Sequence, residues 1–184
     1  MHSPPPRPSS SSSHPFFPRV GESPRKRLVV GVADMVATND VTAEIVTYSL
    51  GSCIAVTMYD PVKKVGGMLH AMLPSSAELK QPTRQSPYIF VDVGIPALIR
   101  TVRGFGARLA QLEVKAAGGA LIMNDDSMFS IGARNCEALR KALEKEGLQL
   151  AAERLGGRIS RSMRLDIAEG KASILTPGCP TEVL

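Results

Sequence analysis

The sequence predicts an α+β fold, an α/β sandwich in which a β-sheet core carries two main helices packed outside it. Three observations support this prediction. Short runs rich in β-branched residues recur between turn signals, two segments change to helical spacing, and most strands lead directly to another strand. A chain of 184 residues with 43% hydrophobic residues is long enough for one domain with a single core.

About eight strands are expected, each a short apolar or alternating run that ends at a turn signal. They cover residues 28–33, 45–50, 52–60, 65–73, 112–123, 148–155, 157–168 and 171–176. The Asp60-Pro61 step predicts a hairpin turn between the third and fourth strands. This turn makes those two strands antiparallel neighbours.

Two segments have the spacing of amphipathic helices. The first is expected to begin with Asp92 as N-cap and to end at Gly104 and Gly106. The second covers residues 131–147, with Ser130 as the expected N-cap and Gly147 as the stop signal.

The chain divides into three parts by composition. Residues 1–27 are rich in Pro and Ser and are expected to be disordered, because such a segment buries too little apolar surface to offset the entropy of ordering. Residues 28–176 form the expected domain, and residues 177–184 are expected to be a frayed end. The first part also holds five basic residues against one acid, so most of the net charge of +5 lies outside the domain. This distribution argues against a nucleic-acid partner, which needs a basic cluster on the folded surface.

The cysteine count and the hydropathy pattern indicate the compartment. The chain has three cysteines and no C-x-x-C pair, which argues against a disulfide framework or a zinc knuckle. No apolar run approaches the length of a membrane span, and the N-terminal residues lack the apolar segment of a secretory signal. We therefore expect a reduced, cytoplasmic protein with no membrane insertion.

The cysteines differ in what surrounds them. Cys136 lies on the apolar stripe of the second predicted helix, which favours a packing role, and Cys179 lies in the C-terminal end. Cys53 follows Gly51 and Ser52 at the head of a predicted strand, where the turn amides can point at a ligand. Its local sequence leaves a packing role and a catalytic role equally open.

A nucleophilic cysteine needs a base, and the sequence offers one imidazole for that role. His2 and His14 lie in the N-terminal segment, so His70 is the only histidine of the expected domain. A Cys-His dyad must therefore pair Cys53 with His70, and the predicted hairpin brings both to the same end of their strands. The plain alternative is a buried histidine that hydrogen-bonds to a backbone carbonyl.

Thr47 is a candidate third member of this site. It lies six residues before the cysteine and can orient the imidazole by a hydrogen bond, although threonine is also a common strand residue.

No metal or other cofactor is expected, because the acidic pair at residues 124–126 lacks a suitably spaced histidine or further acid, and no phosphate-binding glycine motif occurs.

Three motifs in sequence order resemble the chemoreceptor glutamine deamidases of the CheD family. They are T-x-S-L-G-S-C-I-A-V at residues 47–56, Y-D-P at residues 59–61 and G-G-M-L-H-A-M-L-P at residues 66–74. Further matches extend the resemblance over residues 28–175. It implies an α/β sandwich similar to the catalytic domain of deamidating bacterial toxins.

The resemblance also implies a cysteine hydrolase that converts receptor glutamines to glutamates. The family's catalytic cysteine, histidine and threonine fall on Cys53, His70 and Thr47. In the expected mechanism, backbone amides in the Gly51–Cys53 turn, which includes Ser52, are the candidates to hold the oxyanion, and the site stabilises a thiolate–imidazolium pair. The implied partners are the cytoplasmic helices of methyl-accepting chemotaxis receptors and, where one is present, a CheC phosphatase.

Two alternatives stay open on the sequence alone. The chain can be a non-catalytic module that binds receptors or a CheC-type phosphatase and regulates them. It can also be a cysteine amidohydrolase or a transglutaminase-like enzyme with another protein substrate, since the same three residues serve that chemistry.

Overall fold

The computed structural model describes residues 25–78, 86–121 and 131–184, which contain ten strands and two α-helices. The helices are α1 (Val91–Gly104) and α2 (Ile131–Lys145). The strands are β1 (Lys26–Val29), β2 (Asp34–Thr38), β3 (Ala43–Leu50), β4 (Ile54–Asp60), β5 (Val65–Ala71), β6 (Glu113–Gly118), β7 (Leu150–Leu155), β8 (Arg161–Asp166), β9 (Ala172–Leu175) and β10 (Glu182–Val183).

The strands form two five-stranded sheets that stack face to face. The first sheet has the order β1-β3-β8-β9-β10, and the second has the order β2-β5-β4-β6-β7. One pair in each sheet is parallel, β1 with β3 and β6 with β7, and the other pairs are antiparallel. Both helices pack on the outer face of the second sheet. The predicted α+β sandwich with two helices outside a sheet core is therefore confirmed.

Two apolar clusters fill the spaces between these layers. The helix-side cluster lies between the second sheet and the two helices and includes Leu69, Leu98 and Leu139. The inter-sheet cluster lies between the two sheets and includes Ile45, Met68 and Met163. Because the second sheet is covered on both faces, every residue of β4 and β5 is buried.

The structure differs from the expected elements mainly at the two ends of the domain. The strand expected at residues 28–33 is replaced by β1 and β2, since Ala33 has a φ of 58° and turns the chain between two sheets. Within residues 177–184, the expected frayed end, Glu182–Val183 form β10, which pairs with β9. Residues 122–123 of the strand expected at 112–123 lie outside the described residues.

The helix boundaries follow the prediction except at the caps. The N-cap position of α1 is Phe90, so the prediction of Asp92 as N-cap is wrong. Asp92 lies in the first turn, where its carboxylate accepts hydrogen bonds from the Ser76 N–H and the Ser75 hydroxyl. Helix α2 ends two residues before Gly147, and Ser130 lies outside the described residues. Neither α1 nor α2, the two α-helices of the described ranges, has the length and apolar character that crossing a membrane requires.

Candidate active site

Strand β5 carries His70 into the space between the two sheets. The alternation of side chains along the strand puts Met68 and His70 on the inter-sheet face and Leu69 on the helix side. His70 lies opposite Ala55 of β4, and its carbonyl oxygen accepts a hydrogen bond from the Ala33 N–H at 2.9 Å. The side chain is only 2% exposed. The imidazole is thus held by a central strand in a largely dry environment.

Thr47 reaches the same space from the first sheet, on the face of β3 that also carries Ile45 of the inter-sheet cluster, and β3 has a bulge directly after Thr47. The pairing of β3 with β8 shifts between Thr47 and Leu50, and Ser49 within the bulge has a φ of 56°. A bulge adds one residue and re-aims the side chains that follow it. Both Thr47 and Leu50 are consequently fully buried, although an unbroken alternation would turn one of them outward.

A chain of two hydrogen bonds joins Thr47, His70 and Val30. The Thr47 hydroxyl donates to the Val30 carbonyl oxygen at 2.8 Å, and Thr47 Oγ1 lies 2.8 Å from His70 Nδ1. A hydroxyl has one hydrogen to donate. Because the Val30 carbonyl takes that hydrogen, Thr47 Oγ1 must accept from the imidazole, so Nδ1 carries the ring proton. This pattern assigns the tautomer in which Nε2 has a lone pair.

The other ring nitrogen, Nε2, has the properties of a general base. His70 Nε2 is buried and has no hydrogen-bond partner among the residues that the structure describes. Burial lowers the pKa of the His70 imidazole from its ordinary value of 6.5 to about 4. The ring is therefore neutral at pH 7, with Nε2 as an unoccupied proton acceptor.

Cys53 lies at the head of the neighbouring strand, and among the described residues its thiol makes no hydrogen bond to His70 Nε2. It directly precedes β4, and its partly buried side chain packs against the inter-sheet cluster. Continuing the β4–β5 register places Cys53 diagonally across from His70. Such diagonal pairs have backbones about 7–8 Å apart, within reach of a long side chain such as imidazole.

The electrostatic environment differs from the one expected from the sequence. Burial raises the pKa of the Cys53 thiol above its ordinary value, and the backbone N–H of the same residue opposes this only in part. Burial also lowers the pKa of His70, so both effects favour a neutral thiol beside a neutral imidazole. The expectation of a resting thiolate–imidazolium pair is therefore not supported.

The turn at Gly51 and Ser52 is anchored from behind by the end of β6. The Ala120 N–H donates to the Gly51 carbonyl oxygen at 2.8 Å, and the Gly119 N–H donates to the Cys53 carbonyl oxygen at 2.8 Å. Gly118 has a φ of 113°, and a Cβ added there would lie 2.1 Å from the Cys53 carbonyl oxygen. A glycine is required at this position for the two backbones to approach so closely.

The remaining candidates lie away from this site or outside the described part of the chain. Cys136 packs against the helix-side cluster, as its position on the apolar stripe predicted, and Cys179 is exposed. The acidic pair at residues 124–126 lies outside the described residues. Among the residues that are described, no group of three or more His, Cys, Asp or Glu side chains has an arrangement suited to a metal ion.

Sequence reasoning missed two contributors to the site. The Val30 carbonyl is a backbone group, and no side-chain pattern signals its role. Asn135 of α2 is fully buried and donates through Nδ2 to the carbonyl oxygens of Ser52 and Met72. An asparagine on the buried stripe of a predicted helix was a signal available in the sequence, because this residue disfavours helix interiors unless its amide has a specific partner.

Comparisons with known proteins agree with the resemblance seen in the sequence. Residues 72–176 match the family model described as CheD chemotactic sensory transduction. A Solibacter usitatus protein named probable chemoreceptor glutamine deamidase CheD is 43% identical over 159 residues, which is 86% of this chain and 94% of that protein. A Syntrophus aciditrophicus protein named probable chemoreceptor glutamine deamidase CheD 1 is 40% identical over 157 residues, 85% of this chain and 98% of that protein.

The chain belongs to the CheD family. The residues matched by the family model begin two positions after His70, so that match does not bear on the roles of Thr47, Cys53 and His70. Among solved structures, a Bacillus licheniformis hypothetical protein, YfiH, aligns with a TM-score of 0.41 and 14% identity over 65% of this chain and 49% of its own. That likeness is too distant to carry an argument.

Proposed function

We propose that this protein is a cysteine-dependent chemoreceptor glutamine deamidase, which converts specific glutamine side chains of methyl-accepting chemotaxis receptors to glutamate. Membership of the CheD family and the names of its relatives support the substrate. One structural observation carries the chemistry. The Thr47–His70 hydrogen bond leaves the buried Nε2 of His70 as a proton acceptor on the same face of the sheet as Cys53.

In the first step, His70 Nε2 takes the proton of the Cys53 thiol while the sulfur attacks the carboxamide carbon of the glutamine. A new C–S bond forms, and the electron pair of the C=O bond moves to the oxygen. Backbone N–H groups of the Gly51–Cys53 turn are the candidate donors to this oxyanion. Transfer during attack suits a neutral pair, because neither an exposed thiolate nor a charged imidazole has to exist beforehand.

The second step releases ammonia. The imidazolium returns its proton from Nε2 to the departing nitrogen, the C–N bond breaks, and a thioester with Cys53 remains. Water then attacks the thioester while Nε2 accepts its proton, and the thiol leaves with that proton. The balance is one glutamine and one water in, one glutamate and one ammonia out, with the enzyme unchanged.

Thr47 acts through His70 rather than on the substrate. Its hydroxyl accepts from Nδ1–H and donates to Val30, so it fixes the tautomer and the ring orientation. When the ring becomes protonated, both nitrogens are donors, and the same Thr47 contact still satisfies Nδ1. The hydrogen-bond pattern behind the ring is therefore unchanged between the neutral and the charged states of the cycle.

The partners follow from the substrate. The receptor glutamines are on cytoplasmic helices, so we place the protein in the cytoplasm, with a CheC phosphatase as an additional partner where the cell has one. Each turnover replaces a neutral amide with a carboxylate on a receptor helix. That change alters local charge and creates a site for methylation, so the enzyme would set receptor signalling.

The test incubates the purified protein with a receptor cytoplasmic fragment and maps glutamine-to-glutamate conversion by peptide mass spectrometry. We expect conversion by the wild type and a loss of at least about 10⁴-fold in Cys53→Ala, since removal of a nucleophile removes the covalent route. The matched controls are Cys136→Ala and Cys179→Ala, whose thiols lie outside the site and whose activity should be retained.

Two results would contradict the proposal. Conversion by Cys53→Ala at the wild-type rate would show that another group is the nucleophile. Absence of conversion by the wild type, in the presence of a receptor fragment that the protein binds, would favour the non-catalytic binding module instead.

A further inference from the structure

The three carbonyl groups of the Gly51–Cys53 turn all accept hydrogen bonds from one side of the molecule. The Ala120 N–H donates to the Gly51 oxygen and the Gly119 N–H to the Cys53 oxygen, both at 2.8 Å. The middle carbonyl, that of Ser52, accepts from Asn135 Nδ2 at 2.8 Å. Two of the donors are backbone groups, and the third is a side chain of α2.

Asn135 connects the two strands that carry the dyad. Its Nδ2 also donates to the Met72 carbonyl oxygen at 2.9 Å, and the residue is fully buried. Of the two ends of an asparagine amide, only the NH₂ group can donate to two carbonyl oxygens, so the two partners settle the orientation of this side chain. Ser52 immediately precedes Cys53, and Met72 follows His70 by two residues. One amide group thus links the segment that holds the thiol to the segment that holds the imidazole.

The packing of α2 brings Asn135 this close to the turn. A Cβ added at Gly132, in the first turn of α2, would lie 2.6 Å from the Gly119 carbonyl oxygen. A Cβ added at Gly119, where φ is 66°, would lie 2.3 Å from Cys136 Sγ. Glycine at both positions lets the helix lie directly against the backbone of residues 118–120, which in turn contacts the Gly51–Cys53 turn.

The direction of the Ser52 carbonyl determines the direction of the Cys53 N–H. In a planar trans peptide the C=O of one residue and the N–H of the next point in opposite directions, and the described residues contain no cis peptide bond. Asn135 holds the Ser52 oxygen toward α2, on the helix side of the second sheet. The Cys53 N–H therefore points to the opposite side, where the Cys53 side chain packs against the inter-sheet cluster.

This N–H is available to a substrate. Among the described residues, no acceptor outside Cys53 itself takes a hydrogen bond from it. An oxygen that gains negative charge as the sulfur attacks needs a donor fixed beside the sulfur. The N–H of the nucleophilic residue meets that need, provided that its peptide plane cannot rotate.

We propose that Asn135 is a positioning residue that locks the Ser52–Cys53 peptide plane, so that the Cys53 N–H serves as an oxyanion donor. The inference rests on the proposed catalytic role of Cys53, but it does not depend on the receptor being the substrate. It gives α2 a role in stabilising the oxyanion. That role is separate from the reactivity of the Cys53 thiol and of the His70 imidazole.

The experiment compares two reactions of the Cys53 thiol in the purified full-length protein. Acylation by p-nitrophenyl acetate passes through an oxyanion, whereas alkylation by iodoacetamide does not. In Asn135→Ala, we expect the Cys53-dependent acylation rate to fall about 10²-fold while the alkylation rate stays within about threefold of wild type. Asn135→Ser retains one donor and should give a smaller loss of acylation with the same unchanged alkylation.

Leu139→Ala is the matched control, because Leu139 is buried on the same helix and belongs to the helix-side cluster. It should lower thermal stability at least as much as Asn135→Ala while leaving the ratio of acylation to alkylation unchanged. Thermal melting of each variant identifies any that fails to fold, in which case Asn135→Ser alone carries the comparison.

The outcomes separate this inference from the proposed function. An equal fall of both reactions in the Asn135 variants, an unchanged ratio, or the absence of Cys53-dependent acylation in the wild type would each overturn the positioning role. A selective loss of acylation would support it even when receptor glutamines remain unconverted. In that case the proposed substrate fails and the role of Asn135 stands.

Discussion

The two faces of strand β5 carry different kinds of residues. On the helix side the strand presents Val65, Gly67, Leu69 and Ala71, which are apolar and lie under α1. On the inter-sheet side it presents Gly66, Met68 and His70, and the last of these makes a hydrogen bond to a buried threonine of the other sheet. Leu69 and His70 are adjacent in sequence and almost equally buried, yet their surroundings differ completely.

The difference separates stability from chemistry within one strand. Leu69 packs closely enough on α1 that a Cβ added at Gly94 would lie 2.6 Å from its side chain, so it contributes burial energy. Burial of an imidazole is unfavourable for its charged form, and within the described part of the chain the His70 ring has a partner for Nδ1 and none for Nε2. Such a group is expected where a function requires it rather than where packing alone decides.

The largest expected effect on activity or stability comes from substituting Leu69 and His70 in separate variants. His70→Gln should lower kcat for deamidation about 10³-fold, since it removes the general base and acid. Leu69→Ala should lower the free energy of unfolding by about 2–5 kcal/mol through cavity formation, while folded molecules retain their activity. Urea unfolding and steady-state rates on the same preparations measure both quantities.

The same two variants can also show that the two faces of β5 do not have separate roles. If Leu69→Ala reduces kcat as strongly as His70→Gln at a urea concentration where both are folded, the two faces do not have separable roles. The helix side would then take part in the chemistry as well.

A smaller effect is expected from the group behind the imidazole. Thr47→Val has nearly the shape of threonine but leaves the Val30 carbonyl and His70 Nδ1–H without their partner. We expect kcat to fall about 10–100-fold, the range found for groups that orient a histidine from behind. The free energy of unfolding should fall by about 1–3 kcal/mol, because buried polar groups lose their hydrogen bonds.

Thr47→Ser is the control for this prediction, since it keeps the hydroxyl and removes only a methyl group. Its kcat should lie close to the wild-type value. A valine variant with wild-type kcat would mean that the tautomer is fixed by something other than Thr47. Steady-state kinetics over a range of pH checks this for all three proteins.

The parts of the site that the sequence predicted are those set by alternation and elimination. The period of two along β5 places His70 on the face opposite Leu69, and the short turn after Asp60 makes β4 and β5 antiparallel neighbours. The absence of other histidines in the expected domain left His70 as the only imidazole for Cys53. These inferences needed only local geometry and the list of residue types.

The parts that the sequence did not predict depend on contacts between distant segments. The Val30 carbonyl meets Thr47 because β1 and β3 run in parallel. The bulge that keeps both Thr47 and Leu50 buried contains no glycine, so the sequence gives no signal of it. The pKa values of Cys53 and His70 depend on how deeply the two sheets bury them, and the sequence-based expectation of an ion pair did not include that burial.

The most direct test of the central claim is an NMR titration of the ring nitrogens of His70 in ¹⁵N-labelled full-length protein. At pH 7 we expect a neutral ring with a pyrrole-type signal for Nδ1 and a pyridine-type signal for Nε2. Because burial disfavours the imidazolium, this state should persist as the pH falls below 6.5 and should titrate near the pKa of about 4. A proton on Nε2 in the neutral ring, or an imidazolium already present at pH 7, would contradict the account.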